Sequence, residues 1–258
     1  MRTVMPILVT GSVLLPYAAG FVQNSAKIAP ADPFIGTIET MKRSIAPLTC
    51  VEQKGSRSNL LERTGTVFFV SSNGGFLTAA HALLEMQKPN RYCPITAVTL
   101  PEMRWTPEAR EEVLSWFAFE ISLCRVDEDL DLALCGPLND LPARGPGSRF
   151  EISPVQFDYG TPPDGTSVAF LGFPRYFRDP ITARATVAAY RPTGRRNELI
   201  PELILDRPAW PGSSGSPVFL ADGRVIGVVI ASNTDEPGFT IVRSSSALRE
   251  ILQQIRRK

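Results

Sequence analysis

Residues 65–82 read GTVFFVSSNGGFLTAAHA, and the reading of this stretch decides the fold. Two short apolar runs, 66–71 and 76–80, flank the pair Asn73-Gly74. Both turn residues tolerate positive φ, so the runs read as the arms of a β-hairpin. The second arm delivers His81, the only histidine of the chain, at a strand end. Such a position gives a general base a fixed orientation and open space beside it.

The same pattern extends outward. Further apolar runs at 44–51, 95–100, 117–126, 132–135, 167–171, 183–190, 202–205, 218–220, 225–231 and 240–242 are separated by turn residues, with Asp222-Gly223 marking a second tight hairpin. Many short strands at this spacing predict an all-β barrel or sandwich. Two helices interrupt the pattern. Thr106-Pro107-Glu108 combines an N-cap, a Pro at the first helical position and an acidic first turn, which predicts a helix over 107–116. Leu248, Ile251, Leu252 and Ile255 recur at helical spacing and predict an amphipathic C-terminal α-helix over 247–255. The Gly- and Pro-rich stretch 144–154 divides the strands into two groups.

Composition narrows the function. The chain has 258 residues, of which 43% are hydrophobic, enough for a packed core of one domain or two small ones. Its 27 basic and 26 acidic side chains leave a formal charge of +1, too little to favour nucleic acid as a partner. A single histidine excludes a multi-histidine metal site, and no motif calls for a cofactor. Cys50, Cys93, Cys124 and Cys135 form no Cys-x-x-Cys pair. They are either buried thiols or two disulfides, for which three connectivities exist.

The chain opens with Met-Arg and then carries no charge until Lys27. A basic start, an apolar stretch and small residues at Ala18-Ala19-Gly20 describe a signal peptide over 1–26. An uncleaved membrane anchor is the alternative. Either reading puts the rest of the chain outside the cytoplasm, periplasmic or secreted in the first case. Residues 27–40 read as a linker without an apolar face, so the folded part is expected to begin at 41.

Two further motifs carry chemistry. Pro211-Gly212-Ser213-Ser214-Gly215-Ser216-Pro217 is a tight turn ahead of a strand, where a serine Oγ can stand open and backbone N–H groups can meet an oxyanion. Asp127-Glu128-Asp129-Leu130-Asp131-Leu132-Ala133-Leu134 runs from an acid-rich turn into an apolar strand. Asp131, at that junction, can be half buried and orient an imidazole.

In the order His, Asp, Ser, these motifs resemble the trypsin-like serine peptidases, especially the bacterial HtrA-type proteases and glutamyl endopeptidases. The resemblance also rests on Gly65-Thr66-Val67-Phe68-Phe69-Val70, on Val168-Ala169-Phe170-Leu171-Gly172-Phe173-Pro174 and on Gly223-Arg224-Val225-Ile226-Gly227-Val228-Val229. It implies two antiparallel β-barrels, about 41–145 and about 152–243, in a peptidase domain spanning 41–258. It implies Ser214 as nucleophile, His81 as base and then acid, Asp131 as the group holding the imidazole, and the N–H groups of Gly212 and Ser214 as oxyanion hole. Substrate is then protein or peptide. Ile230, Ala231 and Ser232 are expected to wall the primary pocket, with Gly238 near its base.

The chain also departs from the family. Ser213 stands where digestive members carry an Asp that pairs with a freed N-terminus, so activation by that ion pair is not expected. Position 208 is Pro, without the acid of trypsin-like pockets, and no second histidine serves a glutamate-binding pocket. A small or medium apolar residue is the expected preference. No PDZ domain is expected after the helix that leads to Lys258. An inactive, peptidase-like binding module is the alternative function. An α/β-hydrolase is disfavoured, because its Gly-x-Ser-x-Gly motif and its Ser, acid, His order are both missing.

Overall fold

The computed structural model describes residues 32–54, 57–106, 111–137, 152–175, 177, 179–195, 198–232 and 238–255. Their strands close into two six-stranded antiparallel barrels. Barrel one holds β1 (Ile45–Lys54), β2 (Arg57–Phe69), β3 (Phe76–Ala79), β4 (Ile95–Thr106), β5 (Glu111–Asp127) and β6 (Leu132–Pro137), in the order β1-β2-β3-β6-β5-β4. Barrel two holds β7 (Ser167–Gly172), β8 (Ile181–Arg195), β9 (Glu198–Leu205), β10 (Pro217–Phe219), β11 (Val225–Ser232) and β12 (Thr240–Ser244), in the order β10-β11-β12-β9-β8-β7. Each apolar run singled out in the sequence lies within or overlaps one of these strands. The helices are α1 (Phe34–Met41), α2 (Ala80–Met86) and α3 (Ser245–Ile255).

Three buried clusters explain why two barrels make one body. Val67, Phe69, Phe76, Val98 and Ala133 fill barrel one. Val168, Phe170, Val187, Leu203, Val218 and Val242 fill barrel two. The third cluster lies between them: Phe68, Leu77 and Leu132 from barrel one meet Leu171, Phe219 and Val228 from barrel two. Strand alternation produces this arrangement. Phe68 and Phe69 point to opposite faces of β2, one toward the seam and one into the barrel. Both are fully buried, so β2 is apolar on both faces and lacks a clean alternation.

The turns follow their residues. Gly74 has φ 90°, and the Gly75 N–H reaches the Ser71 hydroxyl at 3.0 Å, closing the Asn73-Gly74 hairpin. At Asp222-Gly223 the Leu220 N–H reaches the Arg224 carbonyl at 3.0 Å. The C-terminal helix begins at Ser245, two residues before the predicted start, and buries Leu248 in the seam cluster.

Two expectations fail. The helix predicted over 107–116 is absent from 111–116, which open β5 and pair with β4 from Thr106↔Glu111 to Pro101↔Trp116; residues 107–110 lie outside the described ones. A cap and an N1 proline stabilise a helix by only about 1 kcal/mol, whereas the ladder of a long hairpin pairs the backbone groups on the facing edges of both arms, here from Ala97↔Glu120 to Thr106↔Glu111. The second failure is at the linker. Within 27–40, Phe34 opens α1, which runs on to Met41, and Phe34, Ile38 and Met41 form an apolar stripe. Phe34 packs against Phe219, under the Arg184 guanidinium at 3.7 Å, so the folded body starts ahead of Met41. The signal-peptide span 1–26 and most of the dividing stretch 144–154 lie outside the described residues. After that stretch, Val155 donates to Phe69 O at 2.9 Å and Val225 donates to Gln156 O at 2.8 Å, tying the connection to both barrels.

All four cysteines are paired, as Cys50–Cys93 and Cys124–Cys135. This settles the choice among thiols and connectivities. Disulfides of this kind persist outside the reducing cytoplasm. Among the described residues no helix is long and apolar enough to cross a membrane.

Candidate active site

Antiparallel pairing of β3 with β6 brings His81 to Asp131. The register sets Ala79 opposite Leu132, so the residues just after β3 meet the residue just before β6. The Ala80 N–H donates to Asp131 O at 3.0 Å, and the His81 N–H donates to Asp131 Oδ1 at 2.8 Å. His81 then lies in the first turn of α2, with Nδ1 2.7 Å from Asp131 Oδ2. Asp131 adopts φ 54°, a left-handed conformation that Asp tolerates better than most residues. The turn before it is held by Leu130 N–H to Asp127 Oδ1 at 3.0 Å and Asp131 N–H to Glu128 O at 3.3 Å.

Ser214 comes from barrel two. Its Oγ lies 2.9 Å from His81 Nε2. An ionised carboxylate only accepts, so Nδ1 carries a proton toward Asp131 and Nε2 is free to accept from the serine hydroxyl. The imidazole, about half exposed, sits between a hydroxyl and a carboxylate.

The loop that presents Ser214 is built from backbone. Gly212 has φ +96°, and a Cβ there would lie 2.5 Å from Phe173 O and 2.7 Å from Arg175 N, so only glycine fits. Gly215 has φ +87° and lies against Thr66 O and Ala79 N, where barrel one approaches. The carbonyls of this loop are engaged: Pro211 O accepts from Arg175 N–H at 2.8 Å, Gly212 O from the Thr66 hydroxyl at 2.9 Å, and Ser213 O from Ser216 N–H at 2.9 Å. In a trans peptide the N–H points opposite to the C=O. The Gly212 and Ser214 N–H groups accordingly find no acceptor among the described residues.

Thr66 joins the two barrels at this loop. Its N–H donates to Ser214 O at 2.8 Å, its hydroxyl donates to Gly212 O, and its Oγ1 accepts from Phe173 N–H at 2.8 Å. The sequence marked Thr66 as part of a strand and carried no sign of this role.

The expected pocket residues are placed in part. Gly215 N–H donates to Val229 O at 2.7 Å and Val229 N–H donates to Ser216 O at 2.9 Å, so Ile230 follows directly beside the serine loop, 6% exposed. The side chains of Ala231 and Ser232 lie outside the described set. Gly238, φ 129°, leads into β12, where the fully buried Thr240 donates its hydroxyl to Arg207 O at 2.5 Å. Among the described residues, no cluster of His, Cys, Asp and Glu could hold a metal ion.

Two closed barrels with a hydroxyl, an imidazole and a carboxylate in line at their seam define the double-barrel peptidase class of fold. Residues 64–228 match the family model described as the trypsin-like peptidase domain, and the chain belongs to that family. A comparison with curated proteins finds no match. Among solved structures, the active form of the Rv3671c protease from M. tuberculosis aligns with a TM-score of 0.59 at 17% identity, covering 94% of this chain and 93% of that one. An inactive form of the same protease aligns with a TM-score of 0.59 at 16% identity, covering 88% of this chain and 96% of that one. At these identities the likeness concerns the fold.

Proposed function

We propose that the chain is a serine endopeptidase in which Ser214, His81 and Asp131 are the catalytic residues. One observation carries this reading: the imidazole of His81 is within hydrogen-bonding distance of Ser214 Oγ on one side and Asp131 Oδ2 on the other. Membership of a peptidase family supports it and makes protein or peptide the substrate class.

The geometry then performs amide hydrolysis in two halves. Ser214 Oγ attacks the scissile carbonyl carbon while its proton passes to His81 Nε2. The carbonyl oxygen becomes an oxyanion and accepts from the N–H groups of Gly212 and Ser214. Asp131 stabilises the imidazolium without taking its proton. The C–N bond breaks, Nε2 returns the proton to the leaving amine, and an acyl ester remains on Ser214. Nε2 next deprotonates a water, which attacks the ester and releases the acid. Ile230, Ala231, Ser232 and Gly238 border the primary pocket in this reading. Position 208 is Pro, which brings no charge, and no second histidine exists in the chain, which supports a small or medium apolar residue. The disulfides support an exported protein, periplasmic or secreted.

A fluorophosphonate probe tests the proposal. Ser214 Oγ displaces fluoride from phosphorus, the proton passes to His81, and the label stays on the serine. The expected result is labelling of the wild type that Ser214→Ala abolishes. A folded wild-type protein that takes no label would overturn the peptidase reading in favour of a binding module.

A further inference from the structure

Outside the proposed catalytic residues, a buried charged pair of barrel two reaches across the seam to barrel one. Arg243 on β12 and Glu202 on β9 are direct cross-strand partners, 4% and 7% exposed, joined at 3.0 Å between the guanidinium and Glu202 Oε1. Their neighbour Val242 points into barrel two, so alternation turns Arg243 outward to the seam that barrel one covers. There its Nε–H donates to Leu130 O at 2.8 Å. Leu130 immediately precedes Asp131, whose φ of 54° depends on the turn being held. Burial lowers the pKa of the guanidinium, while Glu202 first, then Asp131 and Asp127, act in the opposite direction.

Taking two charges out of water is costly, and apolar residues of similar volume would serve packing as well or better. The pair therefore needs a reason beyond stability, and its direction supplies one. Asp131 belongs to barrel one and Ser214 to barrel two, so their alignment through His81 depends on how the barrels meet. A guanidinium is a rigid planar fork, able to serve Glu202 and Leu130 at once.

We propose that Arg243, anchored by Glu202, is a positioning residue: a strut from barrel two that holds the Leu130–Asp131 turn of barrel one and so keeps the Asp131 carboxylate on His81. The inference rests on the peptidase reading above and adds to it a residue that touches no substrate.

The test measures fluorophosphonate inactivation at saturation, separating the maximal labelling rate from the half-saturating concentration. Arg243→Met with Glu202→Gln removes both charges together and leaves no buried charge unpaired. This double variant is expected to label about 30- to 100-fold more slowly, as a misplaced reacting group does, with an unchanged half-saturating concentration. Arg243→Lys keeps the charge without the fork and is expected to label about three- to tenfold more slowly than wild type. In an Asp131→Ala background the double replacement should cost nothing further, because its effect acts through that carboxylate. Equal losses in both backgrounds, or wild-type rates in either the double or the Lys variant, overturn the strut. Should the double variant fail to show a native melting transition, the Lys variant alone decides. If wild type itself takes no label, the peptidase reading falls and the strut with it; if wild type labels and the cycle is additive, the strut alone falls.

Discussion

The two barrels hold their parts of the site by opposite means. Barrel one carries both disulfides and fixes His81 and Asp131 through side-chain contacts: a carboxylate clasps the imidazole and the backbone N–H of the same histidine. Barrel two contains no cysteine and presents Ser214 through backbone shape, with glycine where a Cβ would strike the neighbouring chain and with carbonyls drawn away from the N–H donors. In the proposed mechanism the difference follows from the task. Orienting an imidazole needs a charged partner and a stiff frame, whereas an oxyanion hole needs bare N–H groups that no side chain occupies.

The sharpest way to break this contrast is to remove the base. His81→Ala is expected to lower the rate of peptide hydrolysis by about 10⁴-fold or more, read as kcat on any cleaved peptide, with the melting midpoint unchanged. A loss below tenfold would detach the imidazole from the chemistry. Next comes the frame. Cys50→Ser with Cys93→Ser opens a loop of 43 residues, for which chain entropy gives about 4 kcal/mol. Urea unfolding should show that loss in barrel one, and an unchanged midpoint would mean the frame does not need its staple.

The corresponding blow to barrel two is conformational. Gly212→Ala is expected to cost about 10²- to 10³-fold in kcat, because the added Cβ meets Phe173 O and Arg175 N and pushes the donor aside. Retention of full activity would remove Gly212 from the oxyanion hole. Opening the shorter 11-residue loop with Cys124→Ser and Cys135→Ser is expected to cost about 3 kcal/mol. A loss larger than that of the Cys50–Cys93 pair would reverse the entropic ranking. At the small end, Arg224→Ala removes an exposed cation from Asp158 and Asp222. Solvent screens such pairs, so neither melting midpoint nor activity should move measurably.

Strands and turns were legible because their signals are local. Asn73-Gly74 and Asp222-Gly223 form turns whatever surrounds them, and a run such as 167–171 is too short and too apolar for anything but a buried strand. The helix expected after Thr106 shows where local signals lose. Its cap and proline act over one turn, and the pairing of β4 with β5 acts over the whole hairpin. The docked α1 escapes a local reading for a related reason: its stripe of Phe34, Ile38 and Met41 crosses the expected linker boundary at 40/41.

The sequence by itself determined the inventory: twelve strands in order, a closing helix, a lone imidazole, a serine in a glycine turn and an aspartate at a strand entrance. Residue types, short-range periodicity and order along the chain carry that much. Tertiary structure alone decided who meets whom. The β3–β6 register set Asp131 against His81, the closing of two barrels brought Ser214 to the same ring, and the alternation of β12 sent Arg243 across the seam. Such contacts join residues far apart in the chain, and their energy arises from packing and pairing that no local window contains.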